Sequence, residues 1–163
     1  MQHLGYYWAE CSGYCHNVFQ FMKENEKEFL DSTQWVYVYK DILFSHAGVS
    51  EVWMENSGLN SVEDINKSEP TEIFGFTPNR YSDYYGDSAT QPPTWIRPNS
   101  LLMSRVKDYI HVVGHTGFAD RQKILIYEQE NENPVYFCDT LPNEYLIITE
   151  NDYGDLKIEQ KKV

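Results

Sequence analysis

Short runs of β-branched and aliphatic residues recur along this chain at strand length, separated by turn-forming residues. Trp35 to Tyr39 and Ile42 to Ser45 are two such runs with only Lys40 and Asp41 between them, a spacing that predicts a hairpin with a two-residue connection. Ile110 to Val113 predicts a further strand. A β series follows near Ile124 to Glu128, Val135 to Cys138, Tyr145 to Thr149 and Leu156 to Glu159, with Asn131, Asn133 and Pro134 forming a turn. Ahead of the hairpin, His16 to Leu30 sets Val18, Met22 and Phe29 on one helical face and Lys23, Glu24, Glu26 and Lys27 at polar positions. It predicts one amphipathic surface helix whose apolar stripe covers a sheet. From Val49 to roughly Arg80 the pattern is short and helical. Glu51 to Glu55 fits a turn or two of helix, and Ser61-Val62-Glu63-Asp64 resembles a capping signal, so this stretch reads as a cap-like insertion. Tyr81 to Pro98 is rich in Tyr, Asp, Ser, Gly and Pro without a sustained period and predicts a long surface loop. A short helix, Ser100 to Val106, then leads into the Ile110 strand. Strands dominate and helices cover one face, so the expected class is α+β (mixed α/β), a single domain over residues 1–163.

Charge narrows the partners. A net charge of −12, from 25 acidic and 13 basic residues, argues against duplex nucleic acid and against an anionic membrane surface. Positive charge for any phosphate substrate would have to come from metals. No run of about 18 apolar residues and no charged-then-apolar leader pattern is present, which leads to the expectation of an unexported cytoplasmic chain. Cys11, Cys15 and Cys138 are an odd number of thiols, fitting reduced cysteines better than a disulfide framework. Cys11 and Cys15 stand in a C-x3-C spacing beside His16, a partial zinc pattern that lacks a second ligand pair at finger-like spacing. The 13 Tyr, 8 Phe and 4 Trp fit a β-rich core and interfaces better than a carbohydrate platform.

Two stretches carry the candidate chemistry: ILFSHAGVS, from Ile42 to Ser50, and HVVGHTGF, from His111 to Phe118. Each is an aliphatic run delivering an imidazole, His46 or His115, close to a glycine, Gly48 or Gly114. Either histidine alone reads as a satisfied structural residue; as a pair they can converge on one metal ion. A strand holds the backbone rigidly while a neighbouring glycine lets the loop turn away.

These two motifs resemble the last two ligand motifs of the calcineurin-like metallophosphoesterases, the superfamily of Ser/Thr protein phosphatases and diadenosine tetraphosphatases. TWIRP, Thr94 to Pro98, resembles the Trp-x-Arg-Pro stretch of bacterial and phage members, and FCDTLPNEYL, Phe137 to Leu146, their terminal Asp-Thr segment. The resemblance implies the C-terminal part of a calcineurin-like β-sandwich flanked by helices, with an inserted helical and loop cap. It implies a phosphatase-like hydrolase with a dinuclear centre of Mn, Fe or Zn, in which His46 and His115 ligate the same ion. Arg97 becomes a phosphate contact, with Gly48, Gly114, Thr116 and Asp139 in support. The implied substrate is a phosphoester, such as a phosphoprotein or a dinucleoside polyphosphate.

The family also uses an Asp-x-His, a Gly-Asp and a Gly-Asn-His-Asp or Gly-Asn-His-Glu motif. No Asp-x-His occurs here, and Gly86-Asp87 and Gly154-Asp155 lie outside the family's order. MQHLGYYWAECSGY resembles the stretch that follows Gly-Asn-His-Asp in related sequences, so the chain aligns with the C-terminal half to two-thirds of a phosphatase and Met1 reads as an internal methionine. The expectation is a fragment that self-associates or binds a separately encoded N-terminal half, or else a non-catalytic remnant that binds a partner.

Overall fold

A computed structural model describes residues 16–68, 88–116, 123–139 and 143–163. Two compact units divide the chain, Met1–Gln34 and Trp35–Val163. In the first, α1 (His16–Glu24) and α2 (Glu26–Ser32) stand where one helix is expected. Asn25 separates them, its side-chain amide donating to the Phe21 carbonyl at 2.8 Å, the local bond by which asparagine competes with the helix ladder. The hydroxyls of Ser32 and Thr33 both donate to the Phe29 carbonyl at 3.0 Å at the end of α2. No residue of α1 is buried, and Val18 and Phe21 are exposed.

The second unit is built on a mixed five-stranded sheet. β1 (Val36–Tyr39) and β2 (Ile42–Ser45) form the expected antiparallel hairpin, and Lys40 takes the positive φ of 55° that a two-residue turn demands. β3 (Ile110–Val113) lies parallel to β2, and β5 (Val135–Phe137) parallel to β3. β4 (Leu125–Tyr127) closes the sheet antiparallel to β5. Parallel neighbours require a crossover. The one between β2 and β3 contains α3 (Glu51–Asn56), a 3-10 helix (Val62–Lys67) and α4 (Pro98–Ser104). A separate antiparallel hairpin, β6 (Glu144–Glu150) with β7 (Leu156–Lys162), is fastened to the β1–β2 turn by the Lys40–Glu150 ion pair at 2.8 Å and a Tyr39 hydroxyl bond to Glu150. The class is therefore mixed α and β, as the pattern along the chain predicts.

Strand alternation places Val36, Leu43, His111, Val113, Val135 and Phe137 at buried positions. One core cluster joins Val36 and Leu43 to Trp53, Met54, Val62 and Ile65 of the crossover; the other joins Val113, Val135 and Phe137 to Ala47, Ile96 and Leu101. Each fully buried aliphatic side chain contributes about 1.5–3 kcal/mol. The outer edge of β1 is protected by Asn66, whose side-chain oxygen accepts from the Trp35 and Val36 amides while its amide donates to the Val36 carbonyl. One side chain thus imitates a neighbouring strand at a place where another chain would otherwise pair.

The proline-rich stretch departs from expectation. Gln91, Pro92, Pro93 and Ile96 are buried, so its second half is packed interior rather than surface loop. Proline has no amide proton to satisfy and buries at little cost. Its carbonyls are used: Pro92 accepts from Trp95 and Ile96, and Pro93 accepts from Ala47 at 2.7 Å. The short helix also begins earlier than expected, at Pro98. The loop residues before Ser88, the cap residues after Ser68, and Cys11 and Cys15 lie outside the described residues. Among the described residues, no helix is long and apolar enough to cross a membrane.

Candidate functional site

β2, β3 and β5 are parallel neighbours, so their carboxyl ends share one edge of the sheet. His46 follows β2 immediately, His115 follows β3 after Gly114, and Asp139 follows β5 after Cys138. Backbone bonds fasten these ends together: the Gly114 amide donates to the His46 carbonyl at 3.0 Å, and the Cys138 amide to the Val113 carbonyl at 2.6 Å.

The two histidines meet, with His46 Nε2 and His115 Nδ1 2.9 Å apart and ring centroids 4.7 Å apart. Gly48, at φ 122°, lets the chain turn directly after His46. A Cβ at Gly48 would stand 2.3 Å from Leu101 Cδ2, so both the turn and the core require glycine there. The second turn is different. Gly114 has no positive φ; His115 itself carries φ 66°, and the Thr116 amide donates to the Gly114 carbonyl at 2.8 Å across it. That bond and that dihedral describe a γ-turn of the rare, strained hand. Left-handed backbone costs a side-chain-bearing residue roughly 1–2 kcal/mol, and such strain concentrates at functional positions.

Arg97 stands beside the pair. It is the N-cap residue of α4, its Nη1 donates to Thr116 Oγ1 at 3.0 Å, and its guanidinium lies 5.1 Å from the centre of the Trp95 ring. Trp95 is also 5.5 Å, ring to ring, from His115. His46 thus meets His115, Arg97 meets Thr116, and Gly114 is bonded to the His46 backbone, while exposed Asp139 acts through its charge, which favours the protonated forms of both histidines.

Desolvation dominates the electrostatics. His115 is held down to about 4 by burial first, then by the neighbouring His46 and the Arg97 charge. His46 keeps some contact with water, yet partial burial also holds it below the ordinary imidazole value. At neutral pH both rings are uncharged and each has a lone pair to give, the state metal ligation needs. His115 Nε2 is buried with no hydrogen bond of ordinary geometry, although the Trp95 backbone beside it favours the protonated ring.

The separation of the two nitrogens lets both lie about 2.0–2.1 Å from one point, the length of a zinc–imidazole bond. The donor set therefore fits half of a metal centre. Among the described residues, no third His, Cys, Asp or Glu completes a group that could hold an ion.

Three more side chains are firmly held, Trp95 of the Trp-x-Arg-Pro stretch and two buried residues that no motif singles out, Arg105 and His111. Trp95 contacts both Arg97 and His115. Arg105, 1% exposed, pairs with Glu132, donates to the Leu102 carbonyl at 3.0 Å and lies 5.5 Å from the Tyr127 ring centre. His111, 0% exposed, bonds the Val106 carbonyl through Nε2 at 2.8 Å. The inward position of His111 in the alternation of Ile110 to Val113 could have exposed its role; Arg105 and Glu132 lie too far apart in sequence for any local signal. Cys138 is a free thiol whose pKa burial pushes up to about 11, which leaves it inert at neutral pH.

Comparison with protein-family models, curated proteins and solved structures returns no match.

Proposed function

We propose that this chain is the C-terminal part of a cytoplasmic, calcineurin-like metallophosphoesterase, with His46 and His115 ligating one divalent ion and Arg97 contacting the phosphate. The carrying observation is the meeting of His46 Nε2 and His115 Nδ1 at 2.9 Å on the carboxyl edge of adjacent parallel strands, beside an arginine. When bound, manganese, iron or zinc, dinuclear in a complete family member, would acidify a water as nucleophile and clamp the phosphate oxygens.

The chain's own residues do the rest. The sheet fixes the spacing of the two imidazoles, and burial keeps them neutral. Arg97 presents a planar fork of donors that suits a tetrahedral oxyanion, and Thr116 fixes one of its nitrogens. Asp139 offsets part of the desolvation that both rings suffer. The mixed sheet is read as part of the family's sandwich, and α3 with the 3-10 helix as its cap. The substrate class is a phosphoester, a phosphoprotein or a dinucleoside polyphosphate.

The donor set favours a second reading, a non-catalytic subunit that needs a separately encoded half. Two neutral imidazoles balance none of a divalent ion's charge, and the sequence holds neither an Asp-x-His nor, in the family's order, the Gly-Asp that would supply a bridging carboxylate. The purified chain with manganese is therefore expected to hydrolyse an aryl phosphate no faster than its His46→Ala variant. Turnover that appears on adding a polypeptide with the Asp-x-His, Gly-Asp and Gly-Asn-His motifs, and disappears in His46→Ala, would support the hydrolase reading. Manganese binding unchanged by His46→Ala and His115→Ala would contradict it.

A further inference from the structure

Arg97 differs from most surface arginines in how it is held. Arginine side chains carry about 2 kcal/mol of rotamer entropy, so a phosphate contact is effective only when something restrains the guanidinium beforehand. Two contacts do this: the Thr116 hydroxyl at 3.0 Å and the Trp95 ring face at 5.1 Å.

Trp95 is itself firmly set. Its amide donates to the Pro92 carbonyl at 2.9 Å, the next residue, Ile96, is in the core, and the Pro93 carbonyl accepts from Ala47, beside His46. The same indole lies 5.5 Å from the His115 ring. Trp95, Arg97, Thr116 and His115 thus form a closed circuit: ring to guanidinium, guanidinium to hydroxyl, hydroxyl through the backbone to imidazole, and imidazole to ring.

We propose that Trp95 is a positioning residue for the anion site, its indole holding the Arg97 guanidinium and the His115 ring in register so that Arg97 meets an oxyanion already oriented. This rests on the reading of Arg97 as the phosphate contact. Trp95 touches no substrate; it acts through Arg97, and an aromatic face is the property that matters.

The test measures inorganic phosphate binding to the full-length chain equilibrated with manganese, by calorimetry, for the unaltered protein and for R97A, W95F and W95L, each first shown to unfold cooperatively. R97A is expected to weaken phosphate at least as much as W95L. W95L keeps apolar bulk without a ring and is expected to weaken phosphate about three- to tenfold, the range of a partly desolvated cation–π contact. W95F keeps a ring face and is expected to stay within about twofold of the unaltered chain. If R97A is weakened while W95L binds normally, or if W95L and W95F lose affinity equally, the role of Trp95 is overturned and that of Arg97 stands. If the unaltered chain binds no phosphate, or R97A binds as well as it does, the phosphate reading of Arg97 fails and the proposal with it.

Discussion

His111 and His115 lie four residues apart, at the two ends of the same strand-and-turn segment, and burial holds both down to about 4. Everything else about them differs. His111 sits on regular strand backbone, fully buried, with a carbonyl partner and the Arg105 charge nearby opposing its protonation. His115 sits on left-handed backbone, its ring faces another imidazole, and an arginine restrained by a ring and a hydroxyl stands beside it. A depressed pKa therefore does not distinguish the two histidines. Backbone strain, the facing imidazole and the neighbouring arginine do.

The two arginines extend the contrast and give the largest expected effect. Arg105→Ala removes a buried ion pair, a helix-end carbonyl bond and a ring contact together, and should cost about 3–5 kcal/mol in urea unfolding. Arg97→Ala, which removes a hydroxyl bond and a ring contact, should cost less, about 1 kcal/mol. Equal losses would erase the distinction between the two arginines.

The acid dependence of stability separates the histidines next. Above pH 6.5 the imidazole of His111 is neutral in both folded and unfolded chains, so its contribution is complete there. Between 6.5 and about 4 the unfolded chain takes up a proton that the folded chain refuses, and stability declines as pH falls through this window. For a shift of this size the decline is roughly 3 kcal/mol. His111→Gln should remove about that much, leaving a same-signed slope from His115, whose value is held down to the same level, and from His46. A profile unchanged by His111→Gln would show that the buried ring is not what resists protonation.

The strained turn predicts a smaller effect. His115→Gly and His115→Ala lose the same ring, but only glycine accepts a φ of 66° freely, so the glycine variant should be more stable by about 1 kcal/mol. Identical thermal midpoints would mean that the turn relaxes once the ring is gone.

Much of this was legible in the sequence because strand signals are local. The Lys40-Asp41 connection and the β-branched runs give β1, β2 and β3, and the glycine-flanked histidines give the two halves of the site. Asn25 broke the expected helix through a side-chain bond that helical periodicity does not register. Gln91 to Ile96 looked like a surface loop because prolines punctuate surfaces, yet their missing donors let them pack. Arg105 pairs with Glu132 and Trp95 meets the His115 ring across stretches of chain too long for a local signal, and the left-handed turn fell on His115 rather than on the glycine beside it.

The central claim is that His46 and His115 give one ion a ligand nitrogen each while His111 gives none. The most direct measurement is long-range proton–nitrogen NMR of the histidine rings during a zinc titration at neutral pH. Nε2 of His46 and Nδ1 of His115 should shift together, with both nitrogens of His111 unmoved. Shifts confined to one ring, shifts at the opposite nitrogens, or no shift in either ring would contradict the account.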